Sequence, residues 1–341
     1  MSTYEAAGVD IAAGERAVDL MKNKVARSRR PEVVDDASGF AGLFDASALL
    51  RYERPLLATS TDGVGTKVMI AQQYGKHDTI GIDLVGMVLD DLVVCGAEPL
   101  FMTDYIACGK VVPERIAEIV GGVAEGCRLA GAALVGGETA EHPGAMGPDE
   151  YDLAGAGTGV VEASAMLGPS QVQEGDVVLG LASSGVHSNG YSLVRHILRE
   201  ASLSLETVLP ELGRPLGEEL LEPTRIYSLD CLKLARTGSV HAFAHITGGG
   251  IEGNVSRSLP NHLDALLDRS SWTPPPIFGV LAGHGRVAQK DMDRTFNLGV
   301  GMAAIVAPDA ADAAIRLLAD RGLPAWVLGE VVPGTGSAHY R

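Results

Sequence analysis

Apolar and polar positions follow two spacings along this chain, and each spacing predicts a different element. Helical spacing is clearest in one set of apolar residues: Ile116, Ile119, Val120, Val123 and Cys127. Recurrence every three to four positions predicts an amphipathic helix, and Pro113 suits its first turn. A second helix is predicted over residues 80–95, closed by Gly96. Short apolar runs predict strands over residues 55–60, 99–107, 132–135 and 151–162.

A polar stretch over residues 165–175 separates this half from a second series of strands and helices. Strands are predicted over residues 176–182, 242–246 and 298–306, and the last strand over residues 325–332. A final helix is marked by Ala311, Ala314, Ile315 and Leu318. The prolines 274–276 predict a stiff loop. Alternating strands and helices predict an α/β (α+β) fold, with two domains at residues 1–165 and 170–341.

Composition and charge exclude several classes of protein. The 341 residues carry a formal net charge of −16, which repels phosphate backbones and disfavours a nucleic-acid partner. A small phosphorylated ligand is not disfavoured, because Mg²⁺ and helix N-termini can meet its charge locally. The 4 cysteines form no CxxC pair, which favours a reducing cytoplasm. Neither a signal peptide nor a membrane-spanning apolar run is predicted.

Acidic residues in the first half form the first candidate site. Asp62 follows a predicted strand, and Asp83 and Asp91 lie on the predicted helix, where eight residues place them roughly 12 Å apart. We expect them to share a face, with Asp90 nearly on it. Carboxylates in an apolar helix need a partner, and oxygen ligands of this kind suit Mg²⁺. The alternative is a solvated helix face.

Three glycine-rich loops are the other candidates. In residues 136–144, Gly136 and Gly137 precede Glu138, which suits close approach of a carboxylate to a ligand, or a tight structural turn. Residues 183–190 surround His187 with small polar residues suited to an anion; the histidine is a general acid or base, or a surface residue without a role. Residues 247–250 read Thr-Gly-Gly-Gly, a phosphate cradle or a flexible loop.

Two familiar nucleotide motifs are absent. Val68 and Val160 stand where a dinucleotide fingerprint needs glycine, and no GxxxxGK[ST] sequence occurs. If the chain binds ATP, it therefore uses another kind of site.

Taken together, several stretches resemble the phosphoribosylformylglycinamidine cyclo-ligase family, the aminoimidazole ribonucleotide synthetases. The matching stretches occur in the family's order from about residue 4 to residue 332. They are residues 4–14, 61–67, 77–85, 91–94, 136–141, 187–193, 247–250 and 294–302. The resemblance implies that the N-terminal domain forms a dimeric β-barrel-like core beside a C-terminal α/β domain. It also implies that ATP and formylglycinamidine ribonucleotide give ADP, phosphate and aminoimidazole ribonucleotide in purine biosynthesis.

The resemblance also implies site residues. Asp62 and Asp91 are expected to hold Mg²⁺ and the ATP phosphates, and we add Asp83 as a metal ligand. Lys22 matches a lysine at the nucleotide site, and His187 matches the family's active-site histidine. The predicted ATP-binding set is Asp62, Gly63, Gly65, Thr66, Lys67, Glu138, Asn189, Gly248, Gly249 and Gly250. Asp90 beside Asp91 leaves open which one contacts the metal.

The rival functions are those of enzymes that share this architecture and that of a nucleotide-binding subunit without catalytic activity. Formylglycinamidine ribonucleotide synthetase, selenophosphate synthetase, thiamine monophosphate kinase and a hydrogenase-maturation protein are the nearest relatives by resemblance. No cysteine precedes Cys95, which counts against the selenium enzyme. A nucleotide-sensing subunit without activity is expected to lose some of Lys22, Asp62, Asp91 or His187, and all four are present.

Overall fold

The computed structural model describes residues 10–34 and 39–341, which fall into two compact units. The first unit ends at Leu92 and resumes over Glu98–Ala163, and the second consists of Val93–Ala97 and Ser164–Arg341. The predicted motif that begins at Tyr4 lies outside the described residues as far as Val9.

The first unit combines four helices with six strands in its described part. The helices are α1 Ile11–Val25, α2 Lys67–Tyr74, α3 Ile80–Val93 and α4 Pro113–Ala130. The strands are β1 Val33–Val34, β2 Leu43–Phe44, β3 Pro55–Gly63, β4 Glu98–Cys108, β5 Ala133–Glu141 and β6 Tyr151–Glu162. Asp10 caps α1 by accepting a hydrogen bond from the Ala13 amide.

Four of these strands form one sheet in the order β3-β6-β4-β5, with only β4 and β5 parallel. One face of the sheet is buried; Met102, Ile106 and Leu153 on it are 0 to 2% exposed. On the opposite face Leu57 remains 66% exposed and Tyr105 42%. Within the described chain the sheet does not close on itself, so the predicted barrel-like core is not formed by one subunit.

The register of this sheet aligns acidic and glycine residues from four strands. Asp62 pairs with Gly155, and Gly155 pairs on its other side with Asp104. Asp104 pairs in turn with Gly137. Residues paired directly across a sheet point to the same face, so Asp62 and Asp104 share a face with glycine between them.

The second unit is built on a six-stranded sheet. Its strands are β7 Val177–Ala182, β8 Val240–His245, β9 Leu263–Leu267, β10 Val300–Val306, β11 Ala325–Pro333 and β12 Ala338–Tyr340. Its helices are α5 Tyr191–Glu200, α6 Leu216–Leu220, α7 Ser228–Ala235, α8 Gly250–Ser256, α9 Pro276–Gly285, α10 Gln289–Thr295 and α11 Ala311–Asp320. The strand order is β12-β9-β11-β7-β10-β8, antiparallel except between β12 and β9.

Apolar clusters cover both faces of this second sheet. Val178 of β7 belongs to a cluster with Ile251 and Val255 of α8. Its neighbour Leu179 belongs to a different cluster, which includes Leu318 of α11. Because successive strand residues point to opposite faces, the sheet is buried between two apolar cores. Its faces are therefore closed to a ligand, whereas the loops at its edges are not.

Several predicted elements end elsewhere. Strand β5 continues through Gly136, Gly137 and Glu138, which were predicted to follow the strand, because the ladder with β4 holds them. The last strand is β12 rather than residues 325–332; three residues carry too little periodicity to detect. The proline triplet opens α9 with Pro276 in its first turn, a position where the missing N–H costs nothing.

Candidate functional site

Asp62 lies at the end of β3, where the strand gives way to a short loop before α2. Its Oδ1 accepts a hydrogen bond from the Gly63 amide at 2.7 Å, and the side chain is half-buried. Gly65 is exposed with φ +70, and Thr66 immediately precedes α2. One partly open turn thus contains four of the predicted ATP-binding residues, Asp62, Gly63, Gly65 and Thr66. The fifth, Lys67, is buried.

Lys67 and Asp83 form a buried ion pair. The Lys67 Nζ lies 2.8 Å from Asp83 Oδ1, and both side chains are 0% exposed. Two opposite charges taken out of water stabilise each other only if the pair stays intact. The geometry therefore supports a structural role for this pair and does not support the predicted roles, a metal ligand for Asp83 and an ATP contact for Lys67.

The prediction that Asp83 and Asp91 share one face of helix α3 was wrong. At about 100° per residue, seven residues bring Asp90 to within about 20° of Asp83, whereas Asp91 lies about 80° away. Asp83 and Asp90 are each 0% exposed, while Asp91 is exposed. Of the two neighbours, Asp91 is the one that a metal or a phosphate can reach.

The described residues contain no group of three or more His, Cys, Asp or Glu side chains placed to hold a metal ion. Asp62 and Asp91 are the accessible members of the predicted set. Mg²⁺ commonly takes only one or two protein carboxylates and completes its shell with water and substrate phosphates. Two accessible carboxylates match the number that such a shared site uses and are too few for an all-protein cage.

A cleft of about 480 Å³ lies beside α1 and the second half of β5. Gly136, Gly137, Glu138 and Thr139 all line it, so the glycine-rich stretch contacts open space rather than forming a turn. Glu141 fixes this corner, because its carboxylate accepts hydrogen bonds from the Asp10 amide at 3.0 Å and the Val111 amide at 2.6 Å. The starts of α1 and α4 are thereby tied to β5.

Lys22 lies on α1 next to Met21, a residue that lines the cleft. Its side chain is 67% exposed and its Nζ lies 2.7 Å from Asp19 Oδ1. An exposed i, i+3 pair of this kind contributes little to stability. The ammonium group is therefore available to a ligand at the surface.

In the second unit, His187 is buried in the loop between β7 and α5. It is 2% exposed and adopts φ 64, a left-handed conformation that is uncommon for a residue with a side chain. The alternative of a surface histidine is therefore wrong. Strained backbone held by its surroundings is found mainly at ligand sites.

The ring of His187 supports its own loop. The Ser184 amide donates to His187 Nε2 at 3.2 Å, and an amide can only donate, so the ring proton belongs on Nδ1. Asn297 supports the same loop by donating to the carbonyls of Gly185 at 2.9 Å and Val186 at 3.1 Å.

The triple-glycine loop lies against the histidine loop. A Cβ added at Gly248 would lie 3.7 Å from Asn189 Oδ1, so two predicted ATP-binding residues are brought together. Asn254 shapes the loop by donating to the Gly250 carbonyl at 2.8 Å and the Gly248 carbonyl at 3.2 Å. The loop is fixed rather than flexible.

Comparison with known proteins assigns both units to a family. The description "AIR synthase related protein, N-terminal domain" matches residues 44–161, and the corresponding C-terminal domain matches residues 173–341. The chain belongs to the AIR synthase family. The family resemblance predicted from the motifs is thereby confirmed.

Two curated relatives of this AIR synthase family chain carry the same name. A phosphoribosylformylglycinamidine cyclo-ligase of Geobacillus kaustophilus is 51% identical over 334 residues, 98% of this chain and 96% of the relative. A protein of the same name from Bacillus cytotoxicus is 49% identical over 338 residues, 99% of this chain and 97% of the relative. The similarity thus spans essentially the whole of both chains.

Solved structures show how widely the AIR synthase fold is used. Thiamine-monophosphate kinase from Stenotrophomonas maltophilia superposes with a TM-score of 0.66 at 19% identity, covering 95% of each chain. The hydrogenase maturation protein HypE of E. coli gives a TM-score of 0.66 at 18% identity, covering 96% of this chain and 93% of its own. At such identities the likeness shows the fold alone.

One residue of the AIR synthase chain was missed by sequence reasoning. Asp104 lies on β4, is 8% exposed and lines the cleft beside α1. The alternation of β4 held the signal, since Met102 and Ile106 flank Asp104 on the same face and are both buried. A charged residue at a buried strand position requires an explanation.

Proposed function

We propose that this chain catalyses the ATP-dependent closure of formylglycinamidine ribonucleotide to aminoimidazole ribonucleotide, with release of ADP and phosphate, in purine biosynthesis. The observation that carries the proposal is 51% identity to a phosphoribosylformylglycinamidine cyclo-ligase over nearly the full length of both chains. A cytoplasmic location follows from this metabolic role.

The chemistry has two parts. The formyl oxygen of the substrate is a poor leaving group, so ATP first phosphorylates it. A nitrogen of the substrate's own amidine group then attacks the formyl carbon, phosphate leaves, and the imidazole ring closes. Since the attack is intramolecular, orientation supplies much of the rate, and phosphoryl transfer depends mainly on positioning and on neutralising charge.

Asp62 and Asp91 are the residues that would hold Mg²⁺. The turn at Gly63, Gly65 and Thr66 leaves room for the phosphate groups beside Asp62, and Lys22 supplies a positive charge. Mg²⁺ would neutralise charge that develops on the phosphates. Asp83 and Lys67 are not part of this proposal, because they are buried against each other.

The loops of the second unit would supply the substrate side, so Asn189, Gly248, Gly249 and Gly250, which were predicted to bind ATP, are assigned to the substrate in this proposal. The loops of residues 183–190 and 247–250 would bind an anion, with the backbone N–H groups of Gly248 and Gly249 as donors. The Gly250 N–H is already donated to the Thr247 carbonyl at 3.2 Å. His187 holds the first loop through the Ser184 amide. The domain that spans residues 170–341 would accordingly bind the substrate, and residues 1–165 would bind ATP.

A homodimer formed through the first unit is the second part of the proposal. The described residues leave one face of the four-stranded sheet open, with Leu57 66% exposed. An exposed apolar face on a soluble protein is often an interface. Pairing of two such faces would create the barrel-like core that one subunit does not form.

The test is direct. The purified protein is incubated with ATP, Mg²⁺ and formylglycinamidine ribonucleotide, and the aminoimidazole product is assayed with ADP in parallel. We expect one ADP for each aminoimidazole formed, and neither product when ATP is left out. Thiamine monophosphate serves as a competing phosphoryl acceptor; its phosphorylation in place of ring closure would overturn the proposal.

A further inference from the structure

Arg225 lies in the segment of residues 221–227, which connects α6 to α7 in the second unit. Its side chain is partly buried, and its Nε is enclosed without a hydrogen-bond partner. Within the described residues its guanidinium group forms no hydrogen bond and no ion pair. An arginine stays charged in proteins, and a charge withdrawn from water without a partner costs free energy. A bound anion would remove this cost.

The carboxylates nearest to Arg225 in sequence, one on either side, are paired with other arginines. Glu222 Oε2 lies 2.8 Å from Arg214 Nη1, and Asp230 is paired with Arg321. The whole chain has 43 acidic side chains against 27 of Lys and Arg, so carboxylates are not scarce. An arginine that has none of them as a partner in such a chain is available to an anion from outside.

The backbone next to Arg225 is fastened to the histidine loop. Ser184 Oγ donates to the Pro223 carbonyl at 2.6 Å, and the hydroxyl groups of Ser188 and Thr224 lie 3.2 Å apart. Thr224 is 2% exposed, so this contact is sealed from solvent. Arg225, the next residue, is therefore held beside that loop.

Tyr227 fastens the other end of the segment to the same place. Its hydroxyl donates to the Ala182 carbonyl at 2.8 Å, and its ring centroid lies 6.1 Å from that of His187. A Cβ at Gly301 would overlap the Tyr227 hydroxyl and His187 Cε1, so this glycine of β10 provides the space for both rings. Arg225 is thus fixed from both sides at the loop that carries His187.

We propose that Arg225 binds the phosphate monoester on the ribose of the substrate. This assignment rests on the proposed function. A guanidinium group presents a planar fork of N–H donors that matches two oxygens of one phosphate. The phosphate is also the only anionic group of formylglycinamidine ribonucleotide, because a formyl amide is neutral and an amidine is basic.

The charge of Arg225 also gives the bound substrate a direction. A guanidinium group attracts the phosphate and repels a protonated amidine, so the phosphate end lies at Arg225 and the amidine end lies away from it. In the proposed function the phosphates of ATP are met by Asp62 and Asp91 through Mg²⁺ and by Lys22. Arg225 therefore serves the one phosphate that this set does not neutralise.

The test compares Arg225→Gln with Arg225→Lys in the full chain. Calorimetry without ATP measures the affinity for formylglycinamidine ribonucleotide and for its nucleoside, which lacks the phosphate. Arg225→Gln should weaken the ribonucleotide by roughly 10- to 100-fold, the loss of charge-assisted hydrogen bonds, and leave the nucleoside unchanged. Arg225→Lys keeps the charge without the fork and should give an intermediate affinity. Arg316→Gln, at an exposed position of α11, removes the same charge and should bind both ligands like the wild type.

Thermal unfolding distinguishes a binding residue from a structural one. Because no described group pairs with Arg225, Arg225→Gln should unfold at the wild-type temperature or above it. Arg269→Gln is the contrast: Arg269 donates two hydrogen bonds of 2.7 Å to Asp293, and their loss should lower the unfolding temperature. An Arg225→Gln variant that fails to fold, or that loses as much stability as Arg269→Gln, would show a structural partner and overturn the assignment.

The outcomes separate this inference from the proposed function. Equal ribonucleotide affinity in wild type and Arg225→Gln would refute the phosphate assignment even if the wild type forms aminoimidazole. Weakened ATP binding with normal ribonucleotide binding would give Arg225 to the ATP phosphates and refute it as well. A wild type that forms no aminoimidazole would refute the proposed function, and ribose 5-phosphate against ribose would then probe Arg225. A preference for the phosphorylated sugar that Arg225→Gln loses would support the assignment, and no preference would overturn it.

Discussion

At the scale of single residues, the aspartates of helix α3 differ in how far each is buried. Asp91 is exposed, its neighbour Asp90 is buried, and Asp83 is buried against a lysine. Only a carboxylate that reaches solvent can exchange its bound water for a metal ion. Exposure therefore divides the acidic residues into candidates for catalysis and parts of the core.

Asp62→Asn and Asp91→Asn should each abolish turnover with little loss of folding. Removing one of two carboxylates weakens Mg²⁺ and misplaces the phosphate to be transferred. Steady-state rates at ordinary Mg²⁺ and thermal unfolding are to be measured together. Wild-type activity in either variant would end the metal assignment. Asp90→Asn should be much milder in rate.

Lys67→Met should be severely destabilising. It leaves the Asp83 carboxylate buried without its cation, and breaking a buried pair typically costs about 3–5 kcal/mol. Urea unfolding measures the loss, and Lys76→Met, whose partner Asp78 is exposed, is the control. The double variant with Asp83→Leu should recover much of the stability. A single variant as stable as the wild type would contradict the structural role of the pair.

Elements in the second unit present loops that are held from several sides. The histidine loop is fixed by Ser184, His187 and Asn297, and the triple-glycine loop by Asn254. Two loops that follow different strands meet at Asn189 and Gly248. Preorganised backbone of this kind avoids an ordering cost when an anion binds.

His187→Ala should lower the rate by roughly 10²–10⁴ if the ring moves a proton, with ATP affinity barely changed. His187→Gln keeps an acceptor for the Ser184 amide but no titratable ring. Recovery of activity in His187→Gln with an unaltered pH–rate profile would assign a positioning role. Loss in both variants would favour proton transfer. Normal turnover in His187→Ala would remove the residue from the mechanism.

Gly250→Ala should disrupt the triple-glycine loop. Its φ is +68, and a Cβ there would overlap the Asp293 carbonyl oxygen. Strain and overlap together should cost about 1–3 kcal/mol and weaken substrate binding. Gly253→Ala in the same helix α8 meets nothing within 4 Å and should stabilise slightly. Equal thermal stability of the two variants would contradict this account.

At the scale of the whole molecule, the two units differ in how far the faces of their sheets are covered. The six-stranded sheet is covered on both faces by apolar clusters, and the four-stranded sheet leaves one face with Leu57 and Tyr105 exposed. Among the described residues no helix is long and apolar enough to cross a membrane. A second copy of the chain is the proposed cover for the open face.

Light scattering at micromolar concentration should therefore report roughly twice the chain mass of 35.5 kDa. Leu57→Asp should give monomers, since a charge cannot be buried in an apolar interface without a partner. Val327→Asp, at a 48% exposed position of the second unit, is the matched control and should leave the dimer intact. A fully active wild-type monomer would refute the dimer.

The sequence by itself determined the local elements and the family. Helix α4 follows from spacing alone, because a period of 3.6 is a property of neighbouring residues. Strand β6 was predicted from a short apolar run, with the bounds that the structure gives it. The collinear motifs led to the family, since they are read directly from the order of residues. Lys22, Asp62 and Asp91 were also proposed as functional residues at this stage, and the structure leaves Lys22 and Asp91 exposed and Asp62 half-buried.

Only the tertiary structure decided which of these residues face each other. Lys67 and Asp83 are 16 positions apart in sequence, and their pairing depends on how α2 packs against α3. Asp62, Asp104 and Gly137 form one row only through the registers of β3, β6, β4 and β5. A one-residue change of register would turn Asp104 to the other face. Register and helix packing are set by burial across the whole unit, which no local pattern encodes.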